Sequence, residues 1–379
     1  MPPTPHHEVD IAIIGGGIAG QSLAASLGRS QRVLLLESEN TLGYHTSSRS
    51  ASQMQPSYGP AEIRALTAAS LTLMPDIEQT LGTSILSPRP LIWCGLRGSD
   101  QQADEVVASV PDARLGSVAE AVERLPALRA DALASAAFDD NAKEVDVAAL
   151  LSYYQRVLRS NGVSVLGGAR LTAASPEAEK TADGWRLEAG EHTISARVVV
   201  NAAGAWADTV AGLFGKEPRG LQPYRRTITV APSTARQVDP GWPMACDVGN
   251  SFYFRSIGSD ILASPLEDTK SDAEDAQPLP EIIELVKQRI NTVTDLELGS
   301  SRRSWTGLRT MTPDGLPVVG RDTDDPSFYW LAGQGGYGIQ TSAALGRMVA
   351  ADLLGTAAGL GPDTDIAFAR LVARTGPRL

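Results

Sequence analysis

Arg309 stands inside a largely apolar run, "SWTGLRTMTPDGLPVVG", residues 304–320. A guanidinium taken out of water needs a partner. It is half of a structural ion pair, an exposed loop charge, or the ligand of something anionic. A second group of residues has clearer chemistry. Gly15, Gly17 and Gly20 give G-x-G-x-x-G, and Glu37 follows Gly20 by seventeen residues. In a dinucleotide site the first glycine permits the tight turn and the second lets backbone approach a pyrophosphate. The third lets helix and strand pack closely, and the acid accepts hydrogen bonds from ribose hydroxyls.

The elements that must position these residues follow from the pattern around them. Residues 10–14 are an apolar β-run, and a helical pattern opening at Ile18 and Ala19 runs through Leu23 and Leu27. The run "RVLLLE" then ends in Glu37. Strand, glycine turn, helix and second strand place a helix N-terminus at the phosphates. NAD and FAD share this fingerprint, so later segments decide between them. "GWRLEAGEHTISARVVVNAAGAWAD" reads as a hairpin leading into a buried strand. It ends in Asn201-Ala202-Ala203-Gly204, small enough for a second close approach of backbone to ligand. "FYWLAGQGGYGIQTSAALGRMVAADLLG" is a strand, a loop with Gly335, Gly336, Tyr337 and Gly338, and a helix. That helix N-terminus suits the edge of a flavin that becomes negative on reduction.

Bulk properties narrow the field. The 379 residues allow about two domains with substantial cores. A net charge of −11 argues against nucleic-acid binding, which needs a basic face. Cys94 and Cys246 lack metal-ligand spacing and read as reduced thiols of a cytoplasmic protein. No metal is expected, and no apolar run is long enough for a transmembrane segment. The opening "MPPTPHHEVD" lacks signal-peptide features and reads as a disordered lead-in. The acidic "PLEDTKSDAEDAQPLPE" reads as a solvated loop before a helix beginning near Pro280.

Taken together the chain resembles the D-amino-acid oxidase superfamily of FAD enzymes, and within it the bacterial D-arginine dehydrogenases most. The segments that carry the likeness are the fingerprint with Glu37, "GYHTSSRSAS", "LTAAS", "LSPRP", "VNAAGAWAD", "GLQPYRR", "WPM", "SFY", "WTGLR" and "QGGYGIQTSAA". The resemblance implies an α/β (α+β mixed) fold. A glutathione-reductase-type FAD-binding Rossmann domain, residues 1–58, 145–220 and 300–379, is interrupted by an inserted substrate domain. The latter, 59–144 and 221–299, is built on a mixed antiparallel sheet. Ser48, Arg49 and Ser50 join the cofactor set. The activity implied is oxidative deamination of D-amino acids to 2-oxo acids and ammonia, with hydride transfer to flavin N5. Arg309 answers to the arginine that binds the substrate α-carboxylate, and Arg226 to a second carboxylate contact. Tyr58 and Tyr253 answer to tyrosines that close the pocket, and Gln340 to a residue near the amine. Met244, Cys246 and Ile339 stand at pocket-wall positions. Arg225 has no counterpart.

Two departures bear on specificity. Where arginine-preferring enzymes carry a glutamate after "SPRP", this chain has Leu91; where they carry a histidine, it has Gln53. Apolar side chains are therefore expected, unless another acid such as Asp247 supplies the counter-charge. "WTGL", residues 305–308, lacks the cysteine of covalent flavoproteins, so FAD is expected to bind non-covalently. The electron acceptor is left unassigned. A secondary-amine (N-methyl amino acid) oxidase and a 2-hydroxy-acid dehydrogenase are the alternatives on the same fold.

Overall fold

The computed structural model describes residues 5–177 and 184–375. Three apolar runs form the centre of the first sheet. His6–Ile14 pairs in parallel with Val33–Leu36 on one side and His192–Asn201 on the other. Ile13, Leu35 and Val200 are fully buried, as expected for parallel strands covered on both faces. Ser164–Leu166 extends the sheet beyond Val33–Leu36. The hairpin strand Trp185–Ala189 and the strand Phe328–Ala332 share the far side of His192–Asn201. Helices Ile18–Ser26, Ala61–Leu81 and Gly338–Leu354 pack together against this sheet.

The second sheet has eight strands among the described residues. Their order is Arg303–Met311, Gln222–Pro232, Asp260–Ser264, Tyr253–Ile257, Met244–Asp247, Leu91–Leu96, Leu133–Asp139 and Arg114–Gly116. All pairings are antiparallel except Met244–Asp247 with Leu91–Leu96. Helix Pro280–Val293 covers one face through Val286, Ile290 and Val293. The other face carries Leu91, Ile228, Val230, Met244, Tyr253 and Leu262. The fold is thus mixed α/β, with a parallel-centred sheet and a mixed, mainly antiparallel one.

Two readings of the sequence change. His6–Val9, placed in a disordered lead-in, belong to the first strand, because Thr193–Ala196 supply a partner edge. Domain boundaries at 59 and 300 do not follow the packing. Ala61–Leu81 sits on the helices of the first sheet, and Arg303–Met311 is a strand of the second. A helix's amphipathicity shows that it packs but not on which neighbour. No described helix is long and apolar enough to cross a membrane.

Candidate active site

The fingerprint glycines are fixed by contact. Gly15 has φ +107°, and a Cβ there would lie 2.4 Å from the Ala202 carbonyl oxygen. A Cβ on Gly20 would lie 2.0 Å from the Gly15 carbonyl oxygen, so turn and helix touch backbone to backbone. Gly17, by contrast, has room for a Cβ and opens onto a cleft of about 950 Å³. Glu37 lines that cleft, and its carboxylate accepts from Gly16 N at 2.8 Å and Glu39 N at 2.9 Å. Ala203 and Gly204 form the opposite wall, with the turn held by Asn201, whose Nδ2 donates to Ala207 O at 2.8 Å. Glycine turn, acid and free wall together fit the ribose and pyrophosphate of FAD.

A second cavity of about 530 Å³ adjoins the first, Thr46 and Ser47 lining both. Its walls include Ile18, Arg49, Ser50, Gly335, Gly336 and Gly338. Four of the expected cofactor residues lie elsewhere. Ala19 and Gly20 pack into the helix–sheet layer. Ser48 turns its hydroxyl back to Tyr44 O. Tyr337 stacks on Tyr58, ring centroids 5.2 Å apart.

Arg226, Tyr253, Arg309 and Ile339 line the same second cavity. Arg226 and Gly307 face each other on adjacent strands, as do Tyr224 and Arg309, which brings the two guanidiniums together. Arg309 rests on Gly336, where a Cβ would come within 3.1 Å of its guanidinium carbon. Among the described residues Arg309 makes no hydrogen bond or ion pair. Arg226 pairs, among the described residues, only with Asp268, at 2.8 Å, whose carboxylate is largely exposed, and the Arg226 Nε is buried without a partner. Burial, with Arg309 adding to it, pulls the Arg226 guanidinium below its ordinary range. The buried Tyr253 hydroxyl finds no hydrogen bond; Ser264 across the strand is near but outside bonding geometry. Burial raises its pKa, so it stands as a neutral donor.

The other expected residues are placed more variously. Leu91, Met244 and Cys246 pack with Tyr253 and Ile228 in one apolar cluster behind the cavity. Tyr58, expected to close the pocket, is 40% exposed, packs on Tyr337 and does not line the cavity. Its loop is tied down by Ser57, whose hydroxyl donates to the buried Asp139 carboxylate. Beside it, burial first and then Tyr58 push the Tyr337 phenol up to about 12. Gln340 does not reach the cavity: its amide donates to Thr67 Oγ1 at 2.9 Å, so it locks two helices. Gln53 donates to Arg89 O at 3.3 Å. Asp247 lies on the opposite sheet face from Leu91 and Met244, since alternate residues point to opposite sides. It cannot serve as their counter-charge.

The acidic stretch is not simply solvated. Asp275 pairs with Arg49 at 2.6 Å, Glu274 with Arg225 at 2.7 Å and Asp268 with Arg226. It is pinned beside the loop 44–49 that lines both cavities, and it gives Arg225 its partner. Sequence reasoning missed three contributors. Ser47 Oγ accepts from Ile18 N at 2.9 Å and so caps the fingerprint helix. Thr46 Oγ1 donates to Leu308 O at 2.8 Å, tying that loop to the arginine strand. Trp206 stacks on His45 at 4.7 Å over the cleft. All three lie within the quoted motifs "GYHTSSRSAS" and "VNAAGAWAD", which was the available signal.

The chain is similar to known proteins. Hydrogen cyanide synthase subunit HcnC of Pseudomonas aeruginosa is 26% identical over 66% of this chain and 59% of its own. Glycine oxidase of Geobacillus kaustophilus is 25% identical over 91% and 92%. Rat dimethylglycine dehydrogenase is 24% identical over 91% and 43%, so the chain spans less than half of that relative. In solved structures the glycine oxidase superposes with a TM-score of 0.82 at 21% identity, over 97% of this chain and 98% of its own. L-proline dehydrogenase from P. horikoshii gives 0.80 at 19%, over 96% and 99%. These likenesses reach the family and the fold, not the narrower resemblance to D-arginine dehydrogenases. The profile of the DAO family, FAD dependent oxidoreductase, matches residues 10–352, and the chain belongs to that family.

Proposed function

We propose that this oxidoreductase acts on D-amino acids with apolar side chains, holding the carboxylate between Arg309 and Arg226 and yielding a 2-oxo acid and ammonia. One observation carries the reading: two guanidiniums converge on one cavity, and Arg309 has no counter-charge among the described residues. A bidentate carboxylate would satisfy Arg309 and relieve the repulsion between the pair. The unpartnered Tyr253 hydroxyl offers a further donor. Bound FAD would supply the two-electron oxidation; the residues described here bind and orient. With the carboxylate fixed, the substrate's Cα–H has one orientation, which is where most of the rate gain from positioning arises. No side chain is assigned as a base, because a substrate that loses its ammonium proton on binding needs none.

The apolar preference rests on Leu91 and its neighbours Met244 and Ile228, none of which can pair a cation. The likeness to D-arginine dehydrogenases would then extend to the carboxylate clamp and stop at the side-chain wall. Relatives named for glycine, dimethylglycine and proline support an amine that carries a carboxylate. The dimethylglycine name also favours a second reading, an N-methyl amino acid as substrate, which the same clamp would hold. Anaerobic loss of flavin colour against D-Leu, D-Met, D-Phe, D-Arg, sarcosine and 2-hydroxy acids separates these. Bleaching fastest with an apolar D-amino acid is expected. Bleaching by sarcosine or by a hydroxy acid alone would replace the reading.

A further inference from the structure

The second cavity is lined by three arginines, Arg49, Arg226 and Arg309, and by no carboxylate among the described residues. Their charges are not equally free. Arg49 has partners outside the cavity: Nη1 donates to Thr306 O at 2.8 Å and to Ala276 O at 3.3 Å, and Nη2 to Asp275 at 2.6 Å. Arg226 gives Nη2 to Asp268 at 2.8 Å and keeps a buried Nε without a partner. Arg309 has neither hydrogen bond nor ion pair among the described residues. Three cations therefore meet two carboxylates, and one positive charge is left over. Glu267, next to Asp268, gives its Oε1 to Thr227 N and Oγ1, and the Thr227 side chain lies on the sheet face away from Arg226.

Asp268 and Asp275 belong to one segment, the acidic strap of residues 265–281. Its backbone is fastened alongside the strand that carries Arg226. Arg225 N donates to Thr269 O at 2.8 Å, Ser271 N donates to Pro223 O at 3.0 Å, and Tyr224 and Lys270 pair between them. Leu266, two residues before Asp268, is held at φ +55°, a conformation that residues other than glycine rarely adopt. Such conformations cluster where a site requires them. Here the turn leads into the acid that meets the clamp.

We propose that Asp268 sets the charge class of the substrate: it cancels one of the two clamp guanidiniums, so that the cavity takes an amino acid with one carboxylate and disfavours one with two. This rests on the clamp reading. A single carboxylate balances Arg309, and Arg226 still serves it as a donor through Nε. A second carboxylate, as in D-Asp or D-Glu, needs a cation of its own. The charge of Arg226 is already committed, and the remaining walls, such as Ile18, Ile228 and Ile339, supply none. An anion taken from water without a counter-charge is costly. Asp268 also repels it directly, and such a repulsive element is a common source of specificity.

Malonate and propionate have the same number of carbons and differ in one carboxylate, so they serve as probes. Each is titrated as a competitive inhibitor of the FAD-loaded enzyme, with the best substrate of the bleaching panel. The wild type should bind malonate no tighter than propionate. Asp268→Asn keeps an oxygen for Arg226 Nη2 and removes the charge. It should shift the ratio of the two inhibition constants toward malonate by about threefold, the size set by a pair whose carboxylate is largely exposed. High salt should shrink the shift. Glu274→Gln removes a charge from the same strap, but its partner Arg225 does not line the cavity, and the ratio should stay put. A wild type that binds malonate well above propionate, an unmoved ratio in Asp268→Asn, an equal shift in both variants, or a shift indifferent to salt overturns the proposal. The clamp reading fails separately, through an Arg309→Ala enzyme that keeps its activity. Loss of activity there, with an unmoved ratio in Asp268→Asn, sinks the role of Asp268 alone.

Discussion

Arg309→Ala is the sharpest test of the clamp. The guanidinium has no ion pair or hydrogen bond to lose within the described chain, so its removal leaves no orphaned internal partner, and the fold should survive. Under the proposed clamp, what disappears is a bidentate contact to substrate in a partly desolvated pocket where Arg226 is buried and Tyr253 unpartnered. Truncating one partner of such a pair costs about 2–5 kcal/mol. That corresponds to a fall in kcat/KM of about 30- to 5,000-fold. Arg309→Lys keeps the charge without the planar fork and should lose about tenfold. The assay is anaerobic reduction of bound flavin by D-Leu, with flavin absorbance confirming full loading. Loading should not change, because Arg309 lies outside the cleft that holds Gly15, Gly17 and Glu37. Adding guanidinium ion to Arg309→Ala should recover part of the rate. If Arg309→Ala reduces flavin within threefold of wild type, the convergence of the two arginines is structural and the clamp is wrong.

Acid precipitation should release the yellow cofactor into the supernatant, since no thiol lies in residues 305–308; colour retained in the pellet would show a covalent link. The wild type should favour D-Leu over D-Arg, and Leu91→Glu should shift the ratio toward D-Arg, read as the two values of kcat/KM. A wild type that already prefers D-Arg refutes the reading of Leu91. Alkaline unfolding should follow the buried acids. Burial pushes the Cys94 thiol from 9.0 up to about 12, so the stability tied to its protonated form is complete below pH 9 and drains away as pH rises to 12. Tyr337, moved from 10.0 to about 12, steepens the loss above pH 10. Denaturant titrations across that window should show falling stability, and a flat profile contradicts both assignments.

The fingerprint was legible because all of its parts lie within about thirty residues, although the contact that fixes Gly15 comes from Ala202, far along the chain. The arginines were legible only through flanking motifs, since nothing in "GLQPYRR" or "WTGLR" states that the two strands pair. What the sequence hid is long-range or rotational. Arg255 and Arg89 share the carboxylate of Glu144, and the three come from separate segments. The strap's Asp275 meets Arg49 more than two hundred residues away, so a run of charges that reads as solvated is in fact pinned. Gln340 stands beside Ile339 in the motif, yet one helical step turns it from the cavity to Thr67. Asp247 illustrates the same point in a strand, where a shift of one residue changes the face.

The route of the chain between its two large sheets has a consequence of its own. Strands 6–36 belong to the first sheet, 91–139 to the second, 164–201 to the first, 222–311 to the second and 318–332 to the first. Neither sheet can be completed until the chain has passed back and forth between them, so each depends on pairings closed over very long loops. Folding is then slow and collective, and neither half is an independent module that could be cut out or exchanged. Several covalent crossings also oppose a simple hinge between the sheets. The acidic strap is held in the same way by ion pairs in which exposed carboxylates meet largely buried arginines, so it too is fastened to the body of the fold.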